Sequence, residues 1–104
     1  MTEPGYTFVS VSTAKPHKLD QLVELARRPN EAMDEHVPGL IARQVSVDRD
    51  RNTVVVWATF ESKSDLYDWL STDAGREEHG DEEAMTDTID TFQMYDLEPV
   101  SVRL

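Results

Sequence analysis

The run Thr53-Val-Val-Val-Trp-Ala-Thr-Phe60 limits this chain more than any other stretch. β-Branched and aromatic residues at such density fit a pleated, half-buried strand and disfavour a helix. Charged residues at Asp48 to Asn52 precede the run and read as a hairpin loop. Ser62 follows it, where a hydroxyl can cap a helix, with Asp65 as an acid in the first turn. That helix carries Leu66, Trp69 and Leu70 on one face, and Thr72-Asp73 and Gly75 loosen the chain after it. Trp57 and Phe60 fall on opposite alternations of the strand, so only one of them can face the helices.

The other elements follow outward from this unit. Tyr6 to Thr13 alternates as a strand, with Tyr6, Phe8, Ser10 and Ser12 on one side and Thr7, Val9, Val11 and Thr13 on the other. The aliphatic side is the one expected to lie under helices. Lys15-Pro16 is expected to open a helix whose apolar stripe is Leu19, Leu22, Val23 and Ala26. Pro29 interrupts it, but Met33 and Val37 keep its phase, so a kinked or restarted helix ending at Pro38-Gly39 is expected. Leu40 to Val47 reads as a strand. A short helix is expected from about Glu77 to Thr88, with Ala84, Met85 and Ile89 inward, and a last strand from Thr91 to Leu97 that Val100 to Leu104 extends past Pro99.

The order is strand, helix, strand, strand, helix, strand. It predicts an α+β, ferredoxin-like fold: an antiparallel sheet with the helices on one face. Residues 1–104 are read as one domain with a loose end at 1–5. An apolar open face calls for cover, and a second copy packed sheet to sheet would supply it as a homodimer.

Composition removes several functions. No cysteine is present, which excludes disulfides and thiolate chemistry. A net charge of −11 is the wrong sign for nucleic acid. It fits a surface kept soluble by self-repulsion and equally an adaptation to high salt. The N-terminus lacks a signal pattern and the longest apolar run, Val54 to Ala58, is too short to span a membrane, so a soluble cytoplasmic protein is expected. There is no Gly-rich phosphate loop, no Gly-x-Ser-x-Gly elbow and no His-Glu-x-x-His pair. His17 and His36 read as surface residues. Without a Gly-rich phosphate loop, no nucleotide or flavin site is expected.

Several residues admit two readings. Trp69, between Leu66 and Leu70, is either core or the wall of a site for a planar ligand. His79 lies in Arg76-Glu-Glu-His-Gly-Asp-Glu-Glu83, either as a solvated imidazole or as a ligand made more basic by carboxylates. The Tyr95 hydroxyl reaches a ligand or solvent.

The segment Phe60-Glu-Ser-Lys-Ser-Asp-Leu-Tyr-Asp-Trp-Leu-Ser-Thr-Asp73, with His79 ten positions beyond Trp69, resembles the antibiotic biosynthesis monooxygenase family. The Trp69-to-His79 spacing and the late Tyr95-Asp96 are most similar to its Isd-type haem-degrading members. The resemblance implies a dimeric α+β barrel. It makes His79 the axial ligand to haem iron and Trp69 the residue pressing on the porphyrin. Haem-degrading members place an asparagine on the first strand beside dioxygen; here Ser10 is the nearest polar residue. Phe60 stands where many members have tryptophan. Phe8, Phe60 and Tyr95 would line the ligand, and Arg43 and Arg76 would offset surrounding acids at the haem propionates. Two alternatives stand beside haem degradation. One is cofactor-independent oxidation of a quinol or polyketide phenol, with Trp69 and Tyr95 in an aromatic pocket. The other is a non-catalytic dimeric protein that binds small molecules or serves in stress.

Overall fold

The computed structural model describes residues 3–79 and 82–103, with backbone only for 77–79 and 82. Among these, four strands and four helices follow in the order β1 (Tyr6–Ala14), α1 (Leu19–His36), β2 (Leu40–Asp48), β3 (Thr53–Phe60), α2 (Lys63–Ser71), α3 (Asp73–His79), α4 (Glu82–Thr88) and β4 (Ile89–Leu97). The strands form one antiparallel sheet ordered β2-β3-β1-β4, a ferredoxin-like α+β fold. β3 and β1 are its central strands, as expected for the most β-branched segments.

Register decides which side chains meet. Tyr6 lies opposite Phe60, Ser10 opposite Val56 and Ser12 opposite Val54. Facing residues of an antiparallel pair share a face. Val54, Val56, Ala58 and Phe60 are all buried, and they carry Tyr6, Phe8, Ser10 and Ser12 with them to the helix side. This reverses the expectation that Val9 and Val11 lie beneath the helices. The pull of β3, whose inward set contains Phe60 at 0% exposure, outweighs the aliphatic character of one side of β1. Val9, Val11, Val55 and Trp57 instead form a half-buried open face, continued by the exposed Tyr95 and Leu97 of β4.

Two apolar clusters fill the space between sheet and helices. Tyr6, Met33, Val37, Ala58, Phe60, Leu66 and Trp69 make one. Ala14, Leu22, Val54 and Val56 make the other.

The helices depart from expectation in three places. Pro16 lies in a turn and not in a helix: His17 has a φ of 65°, which breaks the backbone before α1 begins at Leu19. Pro29 stays inside a continuous helix. The Thr72-Asp73-Gly75 segment is ordered as the start of α3. The Thr72 hydroxyl donates to the Trp69 carbonyl at 2.7 Å and accepts the Gly75 N–H at 3.0 Å, which ends one helix and caps the next. Gly75 is required by proximity, since a Cβ there would sit 1.9 Å from the Trp69 carbonyl oxygen. The expected helix from Glu77 to Thr88 is found as the end of α3 and as α4; the residues 80–81 between them lie outside the described ones. β4 ends at Leu97, and residues 98–103 do not continue it.

Candidate functional site

Between the sheet and the layer of α1, α2 and α4 lies a cavity of about 310 Å³. Its floor is Phe8, Ser10, Ser12, Val56 and Phe60. Leu22, Ala26, Pro29, Asn30 and Met33 of α1 form the roof, and Leu66 and Leu70 close one side. Met85, Ile89, Phe92 and Met94 surround the β4 side, where Phe92 and Met94 are about half exposed and mark the mouth. The size falls at the lower end of the range for small-molecule sites, and an apolar wall with few polar groups is the usual composition of one.

The polar groups are Ser10, Ser12 and Asn30, all buried. The Ser12 hydroxyl donates a long bond, 3.5 Å, to the Val54 carbonyl. Asn30 Nδ2 donates to the Ala26 carbonyl one turn back at 2.7 Å. Among the described residues, neither the Ser10 hydroxyl nor Asn30 Oδ1 has a hydrogen-bond partner, and neither is among the fully sealed side-chain atoms. Both belong to residues that line the cavity. None of the described lining residues carries an ionisable group.

The expected site residues fall into two sets. Phe8, Ser10 and Phe60 meet in the cavity. Trp69, Tyr95, Arg43 and Arg76 do not line it. Trp69 is packed in the core, its ring stacked on His36 at 5.2 Å and 6°. Its Nε1 is the one fully buried side-chain polar atom without a partner among the described residues. Tyr95 is on the open face and donates to Gln93 Oε1 at 3.2 Å. Arg43 grips Asp34 of α1 through two bonds of 2.7 and 2.6 Å. This pairing holds the Asp34 carboxyl below its usual range. Arg76 donates to the Ser71 carbonyl at 2.7 Å. The side chain of His79 lies outside the described residues. Among those described, no cluster of three or more His, Asp or Glu is placed to hold a metal, and no helix is long and apolar enough to cross a membrane.

Sequence reading passed over Asn30, although a signal was present. Asn30 lies four residues after Ala26 and three before Met33, squarely on the apolar stripe of α1. A polar residue at such a position is buried, and a buried amide needs partners.

Beside the cavity, Asp96 gathers three groups. Its Oδ1 accepts from the Tyr6 hydroxyl at 2.5 Å and from the Tyr67 hydroxyl at 3.0 Å, and Lys63 Nζ stands 3.6 Å from Oδ2. These bonds hold the Asp96 carboxyl below its ordinary range, the Tyr6 bond contributing most. Burial, helped by the Asp96 bond, pushes the Tyr6 phenol up. A depressed carboxyl stabilises the fold fully above its unfolded value, and the stability is lost as pH falls through the lower folded value. The urea midpoint is thus expected to decline below about pH 4. Asp96→Asn should flatten part of that decline. Equal slopes in the two proteins would place the acid sensitivity elsewhere.

Comparison with known proteins adds the following. The family model described as antibiotic biosynthesis monooxygenase matches residues 6–80. No curated protein matches the chain. A candidate antibiotic biosynthesis monooxygenase from Bacteroides thetaiotaomicron is similar in structure at 15% identity, with a TM-score of 0.76 over 96% of this chain and 93% of that one. Another candidate of the same description, from Caulobacter crescentus, is 17% identical with a TM-score of 0.75, over 94% and 92% of the two chains. A dimeric protein of unknown function and ferredoxin-like fold from Bacteroides fragilis is 8% identical, with a TM-score of 0.67 over 89% and 94%. At these identities the likeness carries the fold alone.

Proposed function

The chain belongs to the antibiotic biosynthesis monooxygenase family, and from that premise we propose that it oxidises a small electron-rich phenol or quinol within the cavity beneath α1. The observation that carries this is the cavity's composition: an apolar slot with one free hydroxyl, Ser10, and one free amide oxygen, Asn30. Such a slot takes a flat ring and fixes its oxygen substituent. The overall reaction balances without a reductant. A phenol with an open para position and dioxygen give the para-quinone and water. One oxygen atom becomes the new carbonyl, and the other leaves as water with the phenolic and para hydrogens; a quinol, whose para position is taken, gives with dioxygen the hydroxyquinone and water.

The chain's own part is to bind, orient and exclude water. Phe8, Val56 and Phe60 support the ring, and the polar groups hold its oxygen. No described lining residue can serve as a base, so the phenol binds with its proton and gives it up to water at the cavity mouth as it is oxidised. The pH profile of oxygen uptake is then expected to follow the acidity of the substrate. Two phenols of different acidity should show inflections displaced by the difference in their own pKa values. A fixed inflection for both would point to a protein base and defeat this account.

Haem as the occupant, carried by the spacing of Trp69 and His79, is the second reading. Favouring the smaller aromatic is the position of Trp69, which stacks on His36 and does not line the cavity. An oxygen electrode with naphthols and hydroquinones, run beside a haemin titration followed in the Soret region, separates the two. Uptake without haem supports the proposal. A saturable Soret shift lost in His79→Ala supports haem. Neither response leaves a non-catalytic binding protein.

We also infer that two copies pair through the open sheet face. Val9, Val11, Val55 and Trp57 give that face its apolar character, and the similar Bacteroides fragilis protein is dimeric.

A further inference from the structure

We infer that Asn30 sets specificity by reading a hydroxyl donor on the ring, so that the cavity takes free phenols and rejects their O-methyl ethers; this rests on the cavity being the aromatic site. An asparagine side chain ordinarily offers both a donor and an acceptor. Here the donor is already used, because Nδ2 is bound to the Ala26 carbonyl at 2.7 Å. That bond also fixes which amide atom is the oxygen, since a carbonyl can be met only by the NH₂ group. What remains unpaired is Oδ1, an acceptor alone, on a cavity-lining residue 8% exposed.

Pro29 strengthens the same bias. It lacks an N–H, so it gives no helical bond to the Leu25 carbonyl, and both residues line the cavity. At Asn30 the α1 wall thus offers an acceptor and no free donor. Ser10 on the opposite wall can donate or accept and does not discriminate. A phenol satisfies Asn30 Oδ1. The corresponding ether keeps the ring and an oxygen acceptor but leaves Oδ1 buried against a methyl group, which costs the desolvated amide its only partner.

The test is equilibrium binding of 1-naphthol and 1-methoxynaphthalene by calorimetry, without turnover, to wild type, Asn30→Leu and Asn30→Ala. Wild type is expected to prefer 1-naphthol by at least roughly tenfold. Both variants should lose that preference, chiefly by binding the ether better. Reading both variants guards against one failing to fold, which circular dichroism would reveal. Equal binding of the two compounds to wild type overturns the role of Asn30 while leaving the cavity as an aromatic site. A preference that survives in the variants overturns it as well. Failure of wild type to bind either compound overturns the cavity reading together with this one.

Discussion

Phe60→Ala is expected to lower stability by about 3–5 kcal/mol, the cost of removing a fully buried aromatic and leaving a void. Phe60 is 0% exposed, packs with Tyr6 at a ring-centroid distance of 5.9 Å, and also forms part of the cavity floor. Small domains hold only about 5–15 kcal/mol in total, so the loss is a large fraction. A denaturant titration gives the midpoint directly. Phe60→Leu, which preserves most of the volume, should cost less than the alanine variant. A loss under about 1 kcal/mol for Phe60→Ala would mean that the neighbours collapse into the space, and the cavity could not then be a fixed shape.

The second large effect concerns the opposite face. Trp57→Glu places a charge at the centre of the open sheet, beside Val9 on β1 and Gln44 on β2. A dimer paired through that face should dissociate, because a central tryptophan is the kind of residue that dominates an interface. In a two-fold pair each copy contributes the change, so the penalty is applied twice. At about 2 kcal/mol or more per site, the dissociation constant rises by at least roughly a thousandfold. Sedimentation velocity of wild type and variant decides it. Trp57 is not part of the cavity, so binding of 1-naphthol should survive in a folded monomer. A monomeric wild type, or a variant that stays dimeric, would remove the sheet face from consideration.

The fold was legible in the chain because its signals were local. The β-branched run of β3, the Ser62-Asp65 start of α2, where the Ser62 N–H donates to the Asp65 carboxylate at 3.0 Å, and the Pro38-Gly39 stop gave the order of elements without long-range information. The choice of inner face for β1 was not local. Alternation divides Tyr6 to Thr13 into two sets, but the register with β3 decides which set turns inward. With that choice inverted, the serines could not be placed in a cavity by reasoning on β1 alone. Phe8, Ser10 and Phe60 reached the site because the resemblance selected them. Arg43 is claimed by Asp34, a pairing that depends on which helix overlies which strand, whereas Arg76 is held locally by the Ser71 carbonyl five residues back. Asn30 was readable from helical phase, and a stripe interrupted by one amide is a stronger pointer than an isolated polar residue on a strand.

The alternation of β1 has a consequence for how its sequence can drift. Neighbouring positions answer to different demands: Ser10 borders the cavity and Val11 belongs to the open sheet. Substitution explores each demand separately, one residue at a time. Loss or gain of a single residue within the strand, where no bulge absorbs it, exchanges the two sets beyond that point and puts valines at the cavity floor and hydroxyls on the outer surface. Length in this segment is accordingly less free than composition.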